Sequence, residues 1–211
     1  MSFLDNIEGF FQDPKGTIAG EFENLGEELR RWQDNVANLD PAGVSEELWG
    51  EAGRFAYAAG AEIMAKRSPT GVPVQANYKD ALRPHFGDLV DRVTLHWGTD
   101  PLDKWAADKF SISMTDVHTA AQTFGYDIYI RQHQGAESVE DELALLAHEL
   151  VHTEQFARLG DSYSNFGYHY FKNYKKANQE YAGNKMEREA YELASEVMNK
   201  LRGTANERQQ K

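Results

Sequence analysis

Apolar residues recur at helical spacing over most of this chain and alternate over only two short stretches. Phe3, Leu4, Ile7, Phe10 and Phe11 form a first helical stripe, which Asp13-Pro14-Lys15-Gly16 ends. A second covers residues 18–38, with Phe22, Leu25, Leu29, Trp32 and Val36 on one side, and Leu39-Asp40-Pro41-Ala42-Gly43 breaks it. A third follows Ser45, which reads as its N-cap, and carries Leu48, Trp49, Phe55, Tyr57, Ile63 and Met64. The turn-rich stretch at residues 68–73 then divides the chain into a helical N-terminal extension, residues 1–70, and a main domain, residues 74–203. Residues 204–211 read as a solvated tail.

Within the main domain, residues 78–86 predict a short helix interrupted by Pro84. Residues 89–97 alternate, with Val93, Leu95 and Trp97 against Arg92, Thr94 and His96, and predict a strand. Residues 125–131 alternate too and predict a second, which is either sheet core or a free edge where an extended peptide could add. Residues 101–109 read as helix, 111–123 fit helix or strand, and 133–136 read as a turn. Residues 161–167 read as a polar loop, 168–181 as an aromatic and basic helix, and 186–201 as a last strong helix. The expected fold class is α+β, mostly helical, with a small sheet.

The segment with the most chemistry is Leu145-Leu146-Ala147-His148-Glu149-Leu150-Val151-His152-Thr153-Glu154-Gln155. It contains an H-E-x-x-H pattern, and residues four apart on a helix share a face, so both imidazoles can meet one metal ion. The local sequence supplies the helix. Ser138 reads as N-cap, Asp141 three residues on completes a capping box, and Glu140, Asp141 and Glu142 suit the positive end of the dipole. Gly160 stands where a left-handed C-terminal residue is expected. Val139, Leu143, Leu146, Leu150 and Ala157 form one stripe, and Leu145, Phe156 and Leu159 flank the histidines on the other side, so the helix is expected to be buried. The bland alternative is a pair of satisfied core or surface histidines.

A zinc site of this type needs a third protein ligand. The last helix offers two carboxylates that are not equivalent. Projected at about 100° per residue, Glu187 falls beside Ala190, Ala194 and Met198, whereas Glu189 falls with Glu192 and Glu196 on the acidic face. A buried glutamate is costly unless it meets a cation. His148, His152 and Glu187 are therefore the expected metal ligands, with Zn2+ as the expected ion, or else Glu187 pairs with a lysine or arginine. Glu149 stands beside the ligands as the expected general base, catalytic without being a ligand. Tyr181 is the candidate hydroxyl for a developing oxyanion, in competition with Tyr163, Tyr168, Tyr170, His169 and Tyr174.

Composition narrows the function classes. The formal net charge is -12, which disfavours nucleic acid and anionic membranes as partners. There is no cysteine, so disulfides, thiolate chemistry and Cys-ligated zinc are excluded. No membrane span is expected, because no stretch reaches the roughly 18 continuous apolar residues one requires. The start of the chain lacks the pattern of a signal peptide, so the expected location is the cytoplasm of the producing cell, with any export by a non-classical route.

His148 to His152, followed by Asn184-Lys185-Met186-Glu187-Arg188-Glu189-Ala190, looks like the site of a gluzincin-type zinc metallopeptidase with a zincin-like fold. More closely, the chain resembles the metallopeptidase-like domain found with extracellular contractile injection systems, often called their core domain. Leu82-Arg83-Pro84, Val93-Thr94-Leu95-His96, Phe124-Gly125-Tyr126-Asp127-Ile128-Tyr129, residues 145–155 and residues 184–190 carry that resemblance, which covers about residues 78–202. It implies hydrolysis of a peptide or protein substrate by a metal-activated water, with injection-particle components as partners. Two other readings stay open: a zinc-bound structural or cargo module with little turnover, and a toxin-like effector. The extension, outside the resemblance, is expected to restrain the active site or to dock elsewhere as a helical layer or partner arm.

Overall fold

The computed structural model describes residues 45–102, 120–131 and 138–209. The helical runs expected within residues 3–38, most of the helix at 101–109, the ambiguous residues 111–119 and the turn at 133–136 lie outside them. The architecture is α+β, mostly helical, with one four-stranded mixed sheet. In chain order the elements are α1 (Glu46–Arg67), β1 (Val72–Pro73), α2 (Ala76–Phe86), α3 (Leu89–Arg92), β2 (Thr94–Trp97), β3 (Ala121–Phe124), β4 (Asp127–Ile130), α4 (Val139–Arg158), α5 (Tyr163–Lys176), a 3-10 turn at Tyr181–Gly183 and α6 (Lys185–Gln209).

The sheet order is β1-β2-β4-β3. β2 and β4 run parallel with Leu95 opposite Ile128, while β3 and β4 form an antiparallel hairpin through Gly125 and Tyr126. Gly125 takes a positive φ of 66°, as a two-residue hairpin turn requires. The expected strand at 125–131 therefore begins only at Asp127. It is also interior, between β2 and β3, so it offers no edge to a peptide; the outer strand on that side is β3. The strand expected over 89–97 is half helix. Residues 89–92 close a helical turn, with the Asp91 N–H on the Asp88 carbonyl at 3.1 Å, before the chain extends at Val93. Alternation over so few residues cannot separate the two states.

Pro84 does not interrupt α2, which runs on to Phe86 and stops at Gly87, φ +55°. α5 begins at Tyr163, inside the expected loop, because the Ser162 side chain caps the Asn165 N–H. α6 continues through the segment read as tail, to Gln209. One core cluster joins α2, the sheet, α4 and α6 through Leu82, Leu95, Ile128, Leu150, Val151 and Val197. A second joins α1 to the sheet and to α4–α6 through Tyr57, Met64, Phe124, Tyr129, Phe156 and Phe166.

α1 packs along α5 at a crossing that admits no side chain. A Cβ on Gly167 would meet the Gly53 carbonyl oxygen at 2.1 Å, and one on Gly53 would meet the Gly167 carbonyl oxygen at 2.5 Å. Both obstacles are backbone, so neither can swing aside. Gly167→Ala is expected to destabilise the fold by about 1–3 kcal/mol. Thermal unfolding reads this, and an unchanged midpoint would mean that the two helices separate without loss.

Candidate metal centre

α4 forms as its sequence dictates. The Ser138 side chain accepts from the Asp141 N–H at 3.2 Å, and Asp141 accepts from the Ser138 N–H at 3.1 Å, completing the capping box. Gly160, φ +83°, follows its C-terminus. Leu146 and Leu150 are buried, but Val139, the first member of the expected stripe, is 59% exposed because it lies in the first turn beyond the core.

α6 begins two residues before the expected third ligand. The Asn184 carboxamide accepts from the Met186 N–H at 3.1 Å and donates to the Tyr170 carbonyl at 3.2 Å. This places Glu187 in the first turn of α6, where it is 2% exposed.

Here the three expected ligands converge. His148 Nε2 lies 3.1 Å from His152 Nε2 and 3.3 Å from Glu187 Oε2, and His152 Nε2 lies 3.4 Å from Glu187 Oε1. These buried residues form a group that could hold a metal ion. The spacing fits: atoms about 2.0–2.1 Å from a tetrahedral ion stand roughly 3.3 Å apart. Glu187 Oε2 is buried and has no hydrogen-bond donor among the described residues, as a coordinating oxygen would.

Glu149 is not among the three. It is buried, and its Oε2 accepts from the Thr123 hydroxyl of β3 at 2.6 Å. Of the competing hydroxyls, Tyr170 donates to Glu187 Oε1 at 2.7 Å, and Tyr181 lies near enough to feel the Glu187 charge. Burial, then the Glu187 charge, pushes the Tyr181 hydroxyl well above its ordinary value, so it is a proton-bearing donor. Tyr168 lies instead over Gly50 and beneath Arg54, Tyr174 packs on Trp49, and Tyr163 packs on Tyr57 and Phe156. Thr123, Gln155 and Tyr191 also meet these groups, although the sequence pattern alone assigns them no role. Gln155 carried a signal, since it lies three residues after His152 on the same helix. The Tyr191 ring lies 4.4 Å from that of His148.

Burial opposes the charge on Glu187, but the imidazoles of His148 and His152, 3.3 and 3.4 Å from its oxygens, hold its carboxyl below the usual carboxylate range. Burial likewise opposes protonation of His152, yet the bond to Glu187 and that charge raise it from 6.5 to about 9. Without metal, His152 therefore contributes stability that is complete below about 6.5 and lost as pH rises through about 9. A metal must displace that proton, so its affinity moves the opposite way. Apparent affinity is expected to rise about tenfold per pH unit towards about 9 and then level off. Chelator competition across pH measures this, and a flat profile below 9 would contradict the His152–Glu187 pairing.

A cavity of about 470 Å3 opens beside the centre, lined by Gln155, Arg158, His169, Lys185 and Glu189 among others, and none of the three ligands faces it.

Residues 73–159 match the family model of the eCIS core domain. The match supports an association with extracellular contractile injection systems. It spans less than half of the chain, taking in His148, Glu149, His152, Thr123 and Gln155 and leaving out α1, α5, α6 and Glu187. No curated protein and no solved structure matches the chain. No helix among the described residues is long and apolar enough to cross a membrane.

Proposed function

We propose that this protein is a zinc-dependent peptidase of a contractile injection system, hydrolysing peptide bonds with Glu149 as general base. One observation carries the reading: two imidazoles and a carboxylate converge with tetrahedral spacing, and a fourth residue, Glu149, lies beside them without joining them. Two His and one Glu leave a position open, which suits zinc. When bound, zinc would acidify a water and polarise a carbonyl. Glu149 would take the proton of the attacking water and pass it to the leaving amine, while the Thr123 hydroxyl, donating to its Oε2 at 2.6 Å, holds the carboxylate in place. Tyr181, protonated beside Glu187, supplies a hydrogen-bond donor at the same place. A zincin-like fold, a peptide or protein substrate and injection-particle partners belong to the same proposal.

The alternative, a metal-bound structural or cargo module, is favoured by one feature. All three ligands and Glu149 are buried, and α1 reaches the neighbouring strand edge. The Tyr57 hydroxyl donates to the Thr123 carbonyl at 2.7 Å and accepts from the Gly125 N–H at 3.4 Å, standing in for a paired strand. If peptide enters along β3, Tyr57→Phe frees that carbonyl and raises kcat/KM severalfold; an unchanged value would place substrate entry elsewhere.

The deciding experiment measures bound zinc, then incubates the full chain with casein, with fluorogenic peptides and alone. Cleavage that chelation abolishes and zinc restores supports the peptidase. A zinc-loaded chain that cleaves none of these, and does not cut itself near residues 68–73, supports the structural module.

A further inference from the structure

Gln155 is 2% exposed, and its partners fix which way its amide points. One end meets two acceptors, the Met186 carbonyl oxygen at 2.9 Å and Glu189 Oε2 at 3.0 Å. Neither has a hydrogen to give: one is a backbone carbonyl, and the other belongs to a carboxylate paired with Arg158 at 2.6 Å. Only an NH2 group can stand there. The end facing His152 Nδ1 at 2.9 Å is therefore the carbonyl oxygen, and Nδ1 must carry the hydrogen. That leaves Nε2, the atom nearest His148 and Glu187, with a free lone pair when His152 is neutral.

We propose that Gln155 is the positioning residue of the metal centre, holding His152 in its Nδ1–H tautomer and tying α4 to the residue before Glu187. The inference rests on the metal reading above. One side chain thus sets two of the three ligands, His152 by its carbonyl and Glu187 through the Met186 backbone. The other ring has no such counterpart among the described residues, where His148 Nδ1 is buried without a hydrogen-bond partner. The amide is required chemically, because a carboxylate at 155 would present an acceptor to Met186 and Glu189, which are acceptors themselves. Glu189, expected on the acidic outer face, here holds the Gln155 amide, and Arg158 neutralises it. The chain Arg158–Glu189–Gln155–His152 runs from the rim of the neighbouring cavity to Nδ1 of a ligand histidine, the nitrogen turned away from the metal position.

The test uses the full chain and its Gln155→Ala, Gln155→Glu and Gln155→Met variants, Met keeping the length and volume of the side chain. Zinc affinity is measured by chelator competition, Co2+ by visible absorption, and the His152 tautomer by long-range 15N–1H correlation in the zinc-loaded protein. All three variants are expected to lose about 10- to 100-fold in zinc affinity, with altered Co2+ absorption. Wild-type His152 is expected to show a protonated Nδ1. Wild-type affinity in Gln155→Met, or a metal on Nδ1, would overturn the proposal while leaving the metal centre standing. A wild-type chain that binds neither zinc nor Co2+ would overturn both.

Discussion

Glu149→Gln is expected to keep its zinc and lose about 10²- to 10⁴-fold in peptide hydrolysis, the range a general base contributes. The separation follows from where the side chain lies. His148, His152 and Glu187 converge without Glu149, whose carboxylate instead accepts from the Thr123 hydroxyl at 2.6 Å. A glutamine presents the same acceptor to Thr123, so the neighbouring backbone need not move. What it lacks is a basic oxygen. Metal content and turnover, measured on one preparation, check the result. Loss of zinc would make Glu149 a ligand, and full activity would remove it from the chemistry.

Glu187→Ala should have the largest effect on metal binding, a loss of more than about 100-fold, since even outer partners of a metal ligand are worth about 10–100-fold. The deletion also strands its neighbours. The Tyr170 hydroxyl loses its acceptor, and His152 loses the charge that keeps it protonated, so burial then drives its proton off more readily. The zinc dependence on pH should flatten together with the loss of affinity. Glu189→Ala, which keeps all three expected ligands and removes one acceptor of the Gln155 amide together with the partner of Arg158, should cost far less. Equal affinities for the two variants, in the same chelator competition, would reverse the assignment of the third ligand.

The match to the eCIS core domain ends at residue 159, at the close of the motif helix. The expected third ligand and the tyrosine hydroxyls come from α5, the 3-10 turn and α6, beyond that boundary. The centre is therefore assembled from the matched segment and the helices that follow it. This makes Glu187 the position whose substitution best separates a metal site particular to this chain from one belonging to the matched segment.

Much of the centre was legible because its determinants are local. The capping box at Ser138 and Asp141, the four-residue spacing of His148 and His152, and the burial of Glu187 rather than Glu189 each depend on residues within a turn or two of one helix. Helical periodicity is enforced by neighbours three and four positions away, so it is written into the sequence directly. The hydrophobic pattern also yielded the α+β class and the existence of a strand at β4. It misjudged the strand at residues 89–92 and the start of α5, where a cap or one turn outweighs a short alternation.

What only the tertiary structure decided is contact between distant segments. Thr123 meets Glu149 across 26 residues, Tyr57 reaches the Thr123 carbonyl across 66, and Gln155 meets the Met186 carbonyl across 31. Whether β4 is an edge depends on how β3 pairs, and whether Gly53 tolerates a side chain depends on where Gly167 lies. These outcomes follow from how whole elements pack, and no periodicity within one element encodes its partner. The sequence by itself therefore determined the helix that presents two histidines and the face that hides a glutamate. The packing of β3, α1 and α6 on that helix decided what Glu149 and Gln155 meet and what covers the strand edge beside them.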